Sequence, residues 1–257
     1  MALTSTAFDK LIIKSIEELY AYSLMTSELK FAFDQMKSAE LSGDNETVYA
    51  EGKQGLTLAA LKRKKTAKFT CENGFVIASA FAAQLGSEVE DASSTKKVRV
   101  QRQEYITLAE GGTELTLTDT PATGTLKYIY KLNADLTKNK AYALTTDYTV
   151  DTKKATFTTA PGAATYLAIY DTDVEIAKRI VNSGDKFADT VKLVINMLGE
   201  DPCTHEEYLI QTTIPSADIA GTYSLSVGDN PAVQSFEANA MLNACSVDKE
   251  LFTTVIA

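Results

Sequence analysis

Tryptophan is absent from this 257-residue chain, histidine occurs once and cysteine three times. Each scarcity removes a class of function. With one histidine, His205, a Ser–His–Asp or Cys–His arrangement would have to use that residue, and no nucleophile motif flanks it. Its setting, DPCTHEEY, puts Cys203 and Glu206 close by. A zinc site needs three or four convergent ligands, however, and no second Cys/His cluster exists, so His205 reads as a turn residue between strands. Cys71, Cys203 and Cys245 are too few and too scattered for a disulfide scaffold. Cys71 and Cys245 read as small buried hydrophobes rather than nucleophiles. Without tryptophan the usual aromatic platform for sugars is missing, and no Asp/Glu pair stands out as glycosidic. There is no Walker loop or dinucleotide fingerprint: LAEGGTEL (108–115) reads as a hairpin turn, and GDNETVYAEG lacks the alternating acidic ligands of a calcium loop. No enzyme activity, cofactor or metal is expected.

Long apolar runs are also missing. None approaches the roughly 20 residues of a membrane span. The start, MALTSTAFDKLIIKSIEELY, lacks the layout of a signal peptide. No membrane association is expected, and a reduced, intracellular place of synthesis fits best.

What is present describes a folded β protein. Hydrophobic residues make up 45% and charged ones 23%, enough to bury a core and too little charge for disorder. Twelve Tyr and ten Phe, with abundant Thr and Val, favour strands. Charge is unevenly placed. Residues 171–257 carry 14 acidic against 5 basic side chains, which supplies the whole net −9. A one-sided acidic surface repels phosphate backbones and argues against nucleic-acid binding as the main task.

Along the chain, Phe8, Leu11, Ile12, Ile16, Leu19 and Tyr20 follow a possible Ser5 or Thr6 cap at helical spacing and predict an amphipathic helix or arm. ELKFAFDQ (28–35) alternates as a half-buried strand. SAELSGDNETVYAEGKQG (38–55) reads as a long polar loop of the kind that makes contacts. FVIASAFAAQLG (75–86) predicts an alanine-rich helix stopped by Gly86 and buried on more than one side. EVEDASSTKK (88–97) reads as a linker. Residues 97–171 then predict a small β-sandwich, through VRVQRQEYITL, GTELTLTDTP, GTLKYIYKL and DYTVDTKKATFTTAPGAATYLAIYD. The expected organisation is an assembly domain, 1–96 with 172–257, carrying an inserted domain at 97–171. Residues 174–188 suit helix and strand equally. Strands follow at 190–198, 206–215, 221–227, 232–241 and 251–257, the last tied into a sheet.

Within LKRKKTAKFTCENG (61–74), residues 62–68 hold five basic residues in seven. At period two, Leu61, Arg63, Lys65, Ala67, Phe69 and Cys71 share one face, and Lys62, Lys64, Thr66 and Lys68 the other. A solvated strand face, a polyanion site and a charge-paired subunit contact all remain open. The alternation of the second half favours the strand, with lysines guarding its exposed side.

Several stretches together resemble the major tail (tail tube) proteins of tailed bacteriophages. These are TVYAEGKQGLTLAALKRKKTAKFTCENGFVIASAFAAQLGSE (47–88), NSGDKFADTVKLVI (182–195), the closing residues 208–257, and YTVDTKKATFTTAPGAATYLAIYD (148–171). The last is a hairpin found in virion proteins with inserted immunoglobulin-like modules. The resemblance implies a mainly β (α+β) fold: a tail-tube-like β-sandwich or barrel with a flanking helix, plus the Ig-like insert. It implies self-assembly into stacked hexameric rings in the virion tail, contact with other phage tail proteins, and double-stranded DNA passing through the lumen without specific binding. The 38–55 loop would make inter-ring contacts, with Asp44, Glu46, Glu51 and Lys53 at the subunit interface. Lys62, Arg63, Lys64 and Lys65 would meet a neighbour's carboxylates. Other readings are a head decoration or baseplate protein, or a carbohydrate- or receptor-binding sandwich.

Overall fold

Residues 10–224, 233–242 and 249–257 are described by a computed structural model of the chain. Strand accounts for 57% of residues and helix for 4%, which makes the fold mainly β. In chain order the elements are β1 (Ile12–Ser23), β2 (Leu29–Phe33), β3 (Met36–Glu51), β4 (Thr57–Asn73) and helix α1 (Ala78–Gln84). Next come β5 (Glu90–Asp91), β6 (Val98–Leu108), β7 (Glu114–Thr116), β8 (Tyr128–Leu132) and β9 (Lys138–Ala143). Then β10 (Tyr148–Asp151), β11 (Lys154–Phe157), β12 (Ala164–Val174) and β13 (Lys178–Arg179) follow. The last four are β14 (Thr190–Glu200), β15 (Glu207–Ile219), β16 (Gln234–Ala240) and β17 (Thr253–Ile256). The chain divides into two compact units: Glu90–Arg179 is one, and the residues up to Val89 and from Ile180 onward form the other.

The discontinuous unit is one antiparallel sheet in the order β2-β1-β14-β15-β16-β4-β3, with β17 also pairing β15. The sheet curls onto its own apolar face. Phe31 and Phe33 of β2 lie 5.5 and 5.6 Å from the ring of Phe236 on β16, although three strands separate β2 from β16 in the sheet. Leu19, Leu193, Ile195, Ile214, Phe69 and Cys71 complete this core, and Ala80 and Ala83 of α1 close it. As the alternation of 66–71 predicts, Ala67, Phe69 and Cys71 are buried.

Two buried glutamines fasten the helix. Gln234 accepts from the N–H of Ile77 at 2.7 Å and donates to Gln84 at 3.3 Å. Gln84 in turn donates to the Ser235 carbonyl at 2.9 Å. Both amides are thereby satisfied, which a buried polar group requires. The helix is shorter than the sequence predicts but stops where expected. The N–H groups of Gly86 and Ser87 bond the carbonyls of Ala83 and Ala82 at 3.2 and 2.9 Å, a left-handed C-terminal cap. Gly86 has φ +65°, and a Cβ there would sit 1.9 Å from the Phe187 carbonyl oxygen. Gly86→Ala is therefore expected to cost about 2–3 kcal/mol, measured as a lowered urea midpoint. An unchanged midpoint would show that the cap does not hold the helix.

The N-terminal helix is replaced by strand β1, while Ser5, Thr6 and Phe8 lie outside the described residues. The cause is visible in the register. Lys14 and Glu17 are extra residues, because Ile13 faces Gly199, Ser15 faces Leu198, Ile16 faces Met197 and Glu18 faces Asn196. The bulge at Glu17 puts Ile16 and Leu19, three residues apart as on a helix, on the same face of the strand. The 38–55 loop is likewise mostly strand, since β3 runs to Glu51.

In the Glu90–Arg179 unit, sheets β6-β12-β8-β9 and β10-β11-β7 face each other. Phe157 of β11 meets Tyr142 and Tyr166 of the opposite sheet at 5.2 and 5.7 Å. The buried hydroxyl of Tyr148 donates to the Leu126 carbonyl at 2.8 Å. β5 and β13 pair the two ends of this unit, helped by Lys178–Asp91 and Arg179–Glu90 contacts at 2.6 and 3.5 Å.

Three further readings are corrected. LAEGGTEL is a corner that carries the chain from one sheet to the other, not a hairpin, because β6 and β7 belong to different sheets. Strand β9, KNKAYA, escapes notice in the sequence because its lysines guard an edge. Residues 175–188 contain only the two-residue β13. Of the strand expected at 221–227, residues 221–224 are not strand and the rest lie outside the described residues. The final strand is tied in as expected: β17 pairs β15, and Ala257 and Leu209 exchange hydrogen bonds of 2.9 and 3.0 Å.

Candidate assembly interface

β3 and β4 pair along almost their whole length, from Met36–Asn73 to Glu51–Thr57. β16 accompanies β4 only between Lys68 and Asn73. Beyond Lys68, among the described residues, the hairpin has no third strand. It is a two-stranded ribbon whose β4 residues 57–66 are all exposed. Such a ribbon is marginal in water by itself, and both of its edges offer unpaired backbone groups. Its tip is the tight turn Lys53–Gly55, where the Gly52 N–H bonds the Leu56 carbonyl at 2.7 Å and Gln54 and Gly55 adopt φ +69° and +74°.

The eight charged residues expected at an interface all lie on this arm. Asp44 faces Thr66, Lys65 faces Asn45, Lys62 faces Thr47, Glu51 faces Thr57, and Lys53 is in the turn. Only Glu46 and Arg63 are set directly across from one another. Lys64 is an extra residue on β4 with φ +49°, a left-handed conformation uncommon outside glycine, asparagine and aspartate. This bulge corrects the two-face reading of the basic run. Arg63 shifts to the face opposite Lys65, and Lys62 joins Lys65. The four cations thus spread around the ribbon instead of dividing evenly between two faces.

Among the described residues, ion pairs are formed elsewhere, and none involves these eight side chains. The first lysine to find a partner is Lys68 at the root of the arm, 2.9 Å from Glu237. Sequence reasoning missed the arm's apolar side chains. Tyr49, Leu56, Leu58 and Leu61 are 60%, 65%, 73% and 49% exposed, a cost normally relieved by burial against a partner. Their signal was the apolar run LTLAAL directly after KQG, inside what otherwise reads as polar and basic sequence.

The described cysteines and the histidine singled out in the sequence lie apart from the arm. Cys71 is buried, and desolvation pushes its thiol up to about 12, which removes it as a nucleophile. Cys203 and His205 sit in the exposed β14–β15 turn, while Cys245 lies outside the described residues. His205 Nδ1 is 2.6 Å from Glu200, whose carboxylate also holds Lys14 at 2.6 Å. Lys14, then His205, keep the Glu200 carboxyl below the usual carboxylate range.

No curated protein matches the chain. The family model of the YomU/Tube protein family matches residues 11–251. The match spans both units, the arm included, and the chain therefore belongs to the YomU/Tube protein family, phage tube-like structural proteins of the virion tail.

Proposed function

We propose that this protein is the subunit of a phage tail tube, assembling into hexameric rings that stack into the conduit for DNA ejection. The observation that carries the reading is the ribbon beyond Lys68, which among the described residues has no ion pair for its charges and leaves its leucines exposed. A second copy supplies what the ribbon lacks: a strand for an open edge, an apolar surface for Leu56 and Leu58, and carboxylates for Lys62–Lys65. The contact is heterologous, since the arm meets a different surface of its neighbour. Heterologous contacts generate rings and stacks. Charge pairs there set register more than they add affinity. The Glu90–Arg179 unit is read as an inserted immunoglobulin-like domain that decorates the tube.

Negative-stain microscopy of the purified protein tests this reading. Rings or tubes with a central channel are expected. A protein that stays monomeric at high concentration would overturn it.

A further inference from the structure

The outward face of the four-stranded sheet in the Glu90–Arg179 unit gathers tyrosines that the sequence scatters. Burial alternates along β12, with Tyr166, Ala168 and Tyr170 in the core and Leu167 and Ile169 on the other side. On β8, Ile129 is fully buried, which turns its neighbours Tyr128 and Tyr130 outward. The register sets Tyr105, Leu167, Tyr130 and Ala141 on one rung across β6, β12, β8 and β9. Tyr105 is 57% exposed and Tyr128 49%. The rings of Tyr128 and Tyr130 lie 6.2 Å apart and 33° from parallel. Two strand spacings, about 10 Å, separate Tyr105 from Tyr130. None of these three tyrosines belongs to the core of the unit.

What flanks the rings is polar and uncharged. On this face Gln103 stands across from Ile169 on one neighbouring rung, and Thr107 across from Thr165 on the other. The Gln103 amide donates to the Tyr105 hydroxyl at 3.1 Å. Lys138 lies over the Tyr130 ring, 4.6 Å from its centre, a cation–π contact that engages its charge. The uncharged stripe ends at the rung of Gln101 and Asp171. Beyond that rung Arg99 and Asp173 hold each other at 2.9 Å.

Clustered exposed rings mark a binding surface, and the dimensions and charge of the stripe narrow the partner. Its extent, about 10 by 13 Å from strand spacing and rise, falls well short of the roughly 800 Å² that each side of a stable protein contact buries. With Lys138 held against a ring, the stripe offers little to a polyanion. A sugar chain fits both conditions. The C–H faces of its rings lie on the tyrosines, and its hydroxyls meet the Gln103 amide and the hydroxyls of Thr107, Thr165 and the tyrosines. That mixture of apolar wall and few polar groups is what small-ligand sites use. We infer that the outward face of β6–β12–β8 is a binding site for neutral polysaccharide, with Tyr105, Tyr128 and Tyr130 as its stacking rings. The sequence has no tryptophan, and tyrosine supplies the platform instead. The assignment concerns the Glu90–Arg179 unit and does not depend on the tube reading; in a tube, repetition would turn a weak contact into avidity.

Saturation-transfer difference NMR on the full-length protein tests this, because it reads ligand protons whether the protein is monomeric or assembled. The probes are chitohexaose, cellohexaose, laminarihexaose and maltohexaose, with oligogalacturonate as the charged counterpart. Transfer to the ring protons of at least one neutral hexasaccharide is expected. Tyr105→Ala, on the edge strand, should raise the dissociation constant about fivefold, the size of one aromatic contact. Adding Tyr130→Ala should abolish transfer, whereas Tyr105→Phe with Tyr130→Phe keeps the rings and should retain it. Circular dichroism checks the fold of each variant, and if the double alanine variant does not fold, Tyr105→Ala decides alone. Transfer to none of the neutral probes overturns the assignment, as does an unchanged dissociation constant in folded Tyr105→Ala. Transfer to oligogalacturonate alone would make the face an anion site, and folded alanine variants that lose assembly would make it a contact between copies. Either result also overturns it. A natural protein that binds a neutral probe but forms no rings or tubes would sink the tube reading and leave this assignment standing.

Discussion

Excising the arm beyond the Gly43–Ala67 pair, with Asn-Gly joining those two residues, is expected to abolish ring and tube formation while leaving a folded subunit. Asp44–Thr66 contribute nothing to the core, and a two-residue Asn-Gly link suits a hairpin closed at that pair. The thermal transition should move by no more than surface changes move it, about 1 kcal/mol. Sedimentation and negative stain read assembly, and circular dichroism reads the fold. Polymerisation of the truncated protein would show that the arm is not the contact. The milder variant Lys64→Glu with Lys65→Glu separates charge from strand and apolar contributions. It should weaken assembly at low salt, with the difference from the natural protein shrinking as salt screens both. If neither the extent of assembly nor its salt dependence changes, the basic run has no carboxylate partners.

Phe236→Ala is expected to have the largest effect on stability, about 3–5 kcal/mol. Phe236 is 2% exposed, and its ring touches both Phe31 and Phe33. It is the contact that holds the curled sheet closed, and the alanine would leave a cavity between strands too far apart in the sheet to collapse onto each other. In urea the midpoint for this unit should fall by roughly 1–3 M. The core of Glu90–Arg179 contains none of these residues, so its transition should stay where it is. A loss below about 1 kcal/mol would mean that the sheet does not depend on that contact.

The mainly β class, the strands at 98–108 and 190–198, the inward Ala67, Phe69 and Cys71 and the glycine stop of the helix were all legible in the amino-acid order. Each depends on local alternation or on a backbone angle that one residue type supplies. The eight residues proposed for the interface were legible only as charged stretches. Their placement on one ribbon was hidden because 38–51 is polar on both sides, and period two has nothing to mark when neither face is buried. β1 was misread for a related reason: a bulge turned a strand's spacing into a helix's.

The sequence by itself therefore determined the class of fold, the absence of the usual catalytic and phosphate-binding motifs, and the split between an acidic C-terminal part and a basic run. Those properties belong to single residues and their near neighbours. Tertiary structure alone decided that β3 and β4 leave the sheet as an arm and that Lys64 bulges and turns Arg63 to the other face. Such facts follow from which strands pair and in what register. Pairing is settled by burying Phe31, Phe33 and Phe236 together, residues up to 205 positions apart in the chain.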